Sequence, residues 1–460
     1  MCRHPIGFIA LLAAVLIAAP AHSQPASVPV LYEGALLIPG DGGAAINESA
    51  FLVDRGRIVR VGRKGELNAA PGVKRVDLSG MTVMPALINA HGHPGFQKRL
   101  TYAAANYTRE NIIDDLNRAL YFGVAAVMSQ GIEKGDVAYE IRTAQGQGGV
   151  GGAQLLLAGR GIGAPNAGPG AAAYAGIAYE VTTEAEIRRA VQEQAAKKVN
   201  GIKIWVDDRG GRAPRLSTAL FRTGIDEGHK LGLPVTAHVF YHVDAVDLVN
   251  AGIDSLAHLV RDKEMDDALV AAIVKRNVYV MPNLGGAERA QYTSPPAWID
   301  EPNLVALLND TVAPEVIQRM KTAFATRDVA TAARARQTYS NMQRSLAKLN
   351  AAGARIILGS DTGLDDHFFG YAEQRELEQM VAAGMTPAQV IVAATSRPAA
   401  FLGLKDTGTL APGKSADFLV LDANPLDDIR NTRRIVRIYV KGAVVDRAAL
   451  SAGLMRDVTR

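Results

Sequence analysis

The sequence predicts an α/β protein: a (β/α)8 TIM barrel with a small β-sandwich domain built from the N- and C-terminal segments. Three observations predict it. Between about residues 83 and 404, short apolar runs alternate with amphipathic helical stretches, the pattern of βαβ units around a parallel sheet. Eight such runs can be counted, the number that closes a barrel. The two ends, 24–82 and 405–450, share another texture, short β-rich runs broken by Gly, Asp and Asn turns, as in small antiparallel sheets.

With 460 residues, 48% hydrophobic and 21% charged, the chain can bury a large core and exceeds one small domain. Residues 1–23 carry Arg3, an apolar run over 6–19 and the small-residue site Ala21-His22-Ser23, which reads as a secretory signal peptide. That run is short for a spanning helix of about 20 residues. Cleavage after Ser23 would remove the one cysteine, Cys2, and leave a periplasmic or secreted protein with no membrane segment in its mature form. The predicted strands are 83–90, 124–129, 154–159, 201–206, 234–239, 253–258, 278–282 and 355–359. Among the intervening helices, "TEAEIRRAVQEQAAKKV" opens on a Thr-x-x-Glu cap signal and "TPAQVIVAATS" has Pro in its first turn. A helical stretch over about 287–350 is far longer than one βα connection, and its part 287–330 reads as an insertion serving as a lid or a homo-oligomer contact.

Composition also excludes. Lys and Arg exceed Asp and Glu by only four, with no basic run interleaved with aromatics, so no nucleic-acid footprint exists. The glycine-rich loop "GRGIGAPNAGPGAAAYAG" after the third strand lacks the Gly-Lys-Ser/Thr of a phosphate cradle. A small, mildly polar substrate is the expected partner.

Barrels of this kind carry function at the C-terminal ends of their strands. His91 and His93 in "INAHGHPGF" follow strand one, and a one-residue gap on extended backbone turns both to the same side, able to grip one cation. Lys203 lies in strand four, His238 closes strand five, His258 closes strand six and Asp361 follows strand eight in "GSDTG". Each alone has an ordinary explanation: a turn residue, a satisfied core histidine, or for Lys203 an ion pair with Asp207 or Asp208. Six at ordered strand ends point instead to one metal site.

The order His-x-His, Lys, His, His, Asp between β-rich ends resembles the metal-dependent amidohydrolase superfamily, closest to its imidazolonepropionase-like and Xaa-Pro dipeptidase-like members. The C-terminal "GTLAPGKSADFLVLD" resembles the segment that brings such chains back to the small β-sandwich. The resemblance implies two divalent ions, usually zinc: His91, His93 and Asp361 on the first, His238 and His258 on the second, and Lys203 bridging them as a CO2-derived carbamate. A lysine ammonium has no lone pair, whereas its carbamate offers two anionic oxygens. Imidazole and carboxylate ligands would equally accept Mn, Co or Fe. Asn89 stands where many members have Asp, and Ala86 where Gly is frequent; both bear on packing. Where deaminating members tend to have Glu three residues after the strand-five histidine, this chain has Tyr241, which favours plain acyl transfer to water.

The activity so implied is metal-assisted hydrolysis of a C–N bond in a dipeptide or N-acyl amino acid. Asp361 would be ligand and general acid/base, and Tyr241 an oxyanion donor. His367, His242 and Arg209, with Arg160, are the loop residues expected to hold a substrate carboxylate. The same nucleophile would serve a lactone, ester or phosphotriester hydrolase, and a non-catalytic binding protein is the alternative of another class.

Overall fold

The computed structural model describes residues 28–68, 70–364 and 366–456; the predicted signal peptide lies outside them. Among the described residues, no helix is long and apolar enough to cross a membrane. The central parallel strands are β1 (Leu87–Gly92), β2 (Val124–Ser129), β3 (Gln154–Leu157), β4 (Ile202–Trp205), β5 (Val235–His238), β6 (Ser255–Ala257), β7 (Tyr279–Met281) and β8 (Arg355–Ile356). At least one helix separates each successive pair.

The strands alternate between two packing environments. Leu87, Val127, Leu155, Leu157, Leu256, Val280 and Ile356 join the cluster formed with the helices. Their neighbours Ile88, Ala126, Met128, Leu156, Ala257, Met281 and Ile357 pack together in a separate cluster. Both faces are therefore apolar, which is why these strands read as continuous hydrophobic runs rather than alternating ones. The helices start where the sequence signals them. Thr183 forms a capping box with Glu186 before Glu184–Ala196, and Thr386 does so with Gln389 before Pro387–Ala394.

Three expectations are corrected. The predicted first strand, 83–90, is two: Thr82–Pro85 pairs antiparallel with Phe418–Leu421, and β1 pairs parallel with β2. Pro85 lacks the N–H that a continuing ladder needs, and the register restarts beyond Ala86, whose N–H donates to the Asp417 carbonyl. The strands also do not pair as one eight-membered ring. They form a three-stranded sheet, β3-β2-β1, and a seven-stranded sheet running from Tyr179–Glu180 through Ile162–Gly163 and β4 to β8. The break falls where Gly159 takes φ +73° and the chain steps from β3 to Ile162–Gly163, the segment that pairs with β4. Bonds from flanking residues tie the two sheets: Asn200 N–H to Leu157 O at 2.7 Å on one side, and on the other Ala90 N–H to Leu358 O at 2.9 Å, Asp361 N–H to His91 O at 3.0 Å and His93 N–H to Thr362 O at 2.7 Å. Third, strand eight is cut from 355–359 to Arg355–Ile356, because Leu358 N–H turns to Ala393 O at 2.7 Å instead of continuing the ladder.

The terminal segments form a four-stranded sheet and a five-stranded sheet, the latter shared by chain segments from both ends. Tyr32 and Phe51 from the first, with Phe418 and Tyr439 from the second, pack in one cluster, the last two stacked at 4.3 Å. Residues 287–330 fall on the helices Leu284–Ala290, Pro302–Asn309 and Pro314–Ala325. Their Leu304, Leu308, Val316, Met320 and Phe324 bury against Tyr121, Phe122, Phe368 and Tyr371.

Gly370 joins these parts. At φ +80° it precedes the helix Tyr371–Ala382, and an added Cβ would fall into the Phe122 ring. Gly370→Ala is expected to lower stability by about 2 kcal/mol or more, since both the backbone conformation and the space oppose it. The check is a thermal melt, in which an unchanged Tm would show that Phe122 can yield.

Candidate metal centre

The six residues expected at strand ends meet. His91 is the fifth residue of β1, Lys203 the second of β4, and His238 the last of β5. His93, His258 and Asp361 sit just beyond β1, β6 and β8. The imidazoles form a row: ring centroids are 5.0 Å apart for His93 and His91, 5.2 Å for His91 and His258, and 4.5 Å for His258 and His238. Asp361 Oδ1 lies 2.9 Å from His93 Nε2 and 3.4 Å from His91 Nε2. Lys203 Nζ is 3.4 Å from His91 Nε2. His91, His258 and Asp361 offer ligand atoms all within 4.8 Å of one another. This trio takes His91 and Asp361 from one expected set and His258 from the other, so the two sets adjoin.

Electrostatics fit a cation. Burial holds His91 and His258 well below the usual imidazole range and brings His238 down to about 4, so all three are neutral with a lone pair free. Burial brings Lys203, only 1% exposed, down to about 7. Burial raises Asp361, but His91, His258 and His93 outweigh it and hold the carboxyl well below its usual range. The Nδ1 atoms of His93 and His258 are buried without a hydrogen-bond partner among the described residues. Neutral nitrogen donors, a carboxylate and orphaned ring nitrogens suit a bound divalent ion.

Residues 82–445 match the Amidohydrolase family. The chain belongs to that family. An uncharacterized protein of Mycobacterium tuberculosis is 33% identical over 114 residues, 24% of this chain and 30% of that protein, so the chain spans under a third of this curated relative. A solved structure, a putative prolidase from Bifidobacterium longum, is 26% identical with TM-score 0.73, covering 95% of this chain and all of that one. A Xaa-Pro dipeptidase with bound methionine is 20% identical with TM-score 0.70, covering 91% and 99%, a likeness of fold.

Around the six residues of this amidohydrolase lies a supporting layer that sequence reading did not find. Asn283, just beyond β7, places Oδ1 3.4 Å from His91 Nδ1 and accepts the His258 N–H at 2.9 Å. Asp207 Oδ2 lies 3.3 Å from His238 Nε2, leaving Nδ1 as the free donor of that ring. The alternative of an ion pair between Lys203 and Asp207 or Asp208 is not realised: Asp207 holds His238, and Asp208 engages Tyr241 and Arg215. His258, Asn283 and Asp361 take φ of 74°, 51° and 56°, left-handed backbone that is uncommon outside glycine. The one available signal was a polar residue closing a strand, as Asn283 does in "VYVMPN".

The remaining expected residues are engaged by other groups or lie beside the centre. Tyr241 donates to Asp208 at 2.8 Å and carries Arg215 over its ring at 4.3 Å, so its proton points at a carboxylate rather than at the histidines. His242 begins the helix His242–Ala251 with Nε2 3.2 Å from Asp266. Arg209 bonds the Gly168 carbonyl and lies 3.8 Å from Asp207. Arg160 bonds Ile177 O and covers the Tyr179 ring at 4.0 Å. His367 is buried and near enough to Asp361 to sense its charge, and burial, with Arg289, brings it down to about 3.

Asn89 is the hub between the first and last strands. Its amide donates to Ser360, Thr362 and Glu373 at 2.9, 2.9 and 2.6 Å, while Oδ1 accepts the His91 N–H at 2.9 Å. Burial raises Glu373 to about 7. Asn89→Asp would set a second carboxylate against it, and a loss of about 1–3 kcal/mol is expected by melting at pH 8, partly restored by adding Glu373→Gln. A melt unaltered by Asn89→Asp would contradict this.

Proposed function

We propose that this amidohydrolase uses a two-metal centre to hydrolyse a C–N bond in a small substrate such as a dipeptide or N-acyl amino acid. The observation that carries the reading is the convergence of His91, His93, Lys203, His238, His258 and Asp361 from five different strands, β1, β4, β5, β6 and β8. In this reading the two parallel sheets are arcs of one barrel, the terminal sheets are a β-sandwich, and residues 1–23 direct export. The Ala90–Leu358 bond and the inner cluster common to both sheets support the first of these.

His91, His93 and Asp361 would hold one cation and His238 and His258 the other, with Lys203 between them as a carbamate. An amine brought to about 7 by burial is available to CO2 at neutral pH, and a bare ammonium would instead face three imidazoles in a desolvated pocket. When bound, two such ions lower the pKa of a shared water from about 15.7 to about 7 and polarise a carbonyl.

The chain's own groups then move protons. Asp361, held ionised and aimed by His93 at 2.9 Å, accepts the proton of the water as its oxygen adds to the carbonyl carbon. The same carboxyl returns that proton to the nitrogen as the C–N bond breaks, leaving a carboxylic acid and an amine. Asp207 and Asn283 keep the His238 and His91 rings in fixed orientation throughout.

Asp361→Asn should keep the fold and lower kcat by about 100-fold or more, the scale of a lost general acid/base. Steady-state kinetics check it, and near-native turnover would take Asp361 out of the proton transfer. Lys203→Ala should reduce bound metal from near two equivalents per chain, as read by elemental analysis, with a short carboxylic acid restoring loading. Unchanged metal content would count against the bridging carbamate.

A further inference from the structure

The arginines near the centre differ in one respect. Arg209 has Asp207 and the Gly168 carbonyl, Arg160 has the Ile177 and Ala178 carbonyls, and Arg215 has Asp208 and Asp244. Arg261 has neither a carboxylate within ion-pair distance nor a hydrogen-bond acceptor for its guanidinium among the described residues. It is nevertheless only partly exposed.

Its place in the fold is well defined. Arg261 follows His258 by three residues, and its N–H donates at 2.8 Å to the carbonyl of Phe240, two residues beyond His238. Its guanidinium carbon lies 5.5 Å from the Phe240 ring centroid. The two segments that carry His238 and His258 are thus joined through it. Its charge reaches the centre, helping burial to lower His238, His258 and Lys203, while Asp361 and Asp207 oppose the effect of burial on Arg261 itself.

The other end of the imidazole row has the opposite character. Tyr174 lies 5.9 Å from the His93 ring, with Phe96 4.6 Å and Tyr102 5.9 Å from Tyr174. The row therefore runs from an aromatic wall at His93 to an unpaired guanidinium at His238 and His258.

We propose that Arg261 reads the substrate: its guanidinium receives the free carboxylate of an N-acyl amino acid or dipeptide whose apolar acyl group lies against Tyr174, which Phe96 backs. This rests on the hydrolase reading above for the position of the scissile bond, and adds the residue that sets which amides are taken. Guanidinium and carboxylate match in geometry as a two-point pair, and a site already desolvated loses little on closing over one. Arg261 acts on specificity and takes no part in the proton transfers.

The test uses the metal-loaded enzyme and two probes that differ only at the carboxyl: 3-benzoylpropanoate, with a methylene where the scissile nitrogen would be, and its neutral primary amide. Calorimetry should show the acid bound at least tenfold more tightly than the amide by the native protein. Arg261→Met should weaken the acid by about 100-fold and the amide less than threefold, with Arg261→Lys intermediate for the acid. The kcat/KM values for hippurate and hippuramide should follow the same pattern. Metal content and circular dichroism report whether each variant is folded, and Arg261→Lys serves if the Met variant is not.

A native enzyme that prefers neither probe, or a Met variant that changes both alike, would overturn the assignment. Selective, Arg261-dependent binding of the acid with no amide cleaved would sink the hydrolase reading and leave Arg261 as the anion site. Amide cleavage indifferent to the carboxyl would do the reverse.

Discussion

A lysine amine enclosed beside an imidazole nitrogen at 3.4 Å is the constraint on which the rest of the molecule is arranged. Burial chiefly disfavours the ammonium, with Arg209 and Arg261 adding to it, and the neighbouring histidines offer it no counter-charge; Asp361 opposes the shift. Such a group is stable inside a protein as a neutral amine or as part of an anionic adduct that meets cations. Packing enforces the position: a Cβ on Gly131 would fall 2.8 Å from Lys203 Cγ, so the loop after β2 closes directly over the side chain. The proposed two-metal centre would give this enclosure a chemical purpose.

The enclosure depends on strand tips that are held rather than free. Asn89 links His91 to Ser360, Thr362 and Glu373, so the tip that carries the first histidines and the loop that carries Asp361 move as one. Asn283 does the same for His91 and His258, and Asp207 for His238. The left-handed backbone at His258, Asn283 and Asp361 persists because these bonds over-determine it. Acidic and amide side chains thus fix ring orientation while the ring nitrogens facing the centre stay available.

Much of the site was legible because ligands need particular residue types at particular strand ends. His91 and His93 share a side by extended-chain periodicity, and Lys203, His238, His258 and Asp361 each close or follow an apolar run. The supporting layer was not legible. Asn89, Asn283 and Asp207 are common polar residues that reach partners as far as 284, 192 and 31 positions away, and no local pattern announces such pairs. Tyr241 and His242 were drawn to the centre by sequence proximity to His238. The start of the helix His242–Ala251 instead turns them toward Asp208 and Asp266.

The sequence by itself determined the α/β alternation, the two β-rich ends, the helix caps at Thr183 and Thr386, and the six candidate ligands. These depend on periodicity and short-range chemistry, which one chain segment carries within itself. Only the tertiary structure decided how the strands divide into two sheets, which carboxylate faces which histidine, and that Arg261 has no carboxylate within ion-pair distance among the described residues. Those outcomes depend on long-range closure, where the distance between two side chains is set by the packing of everything between them.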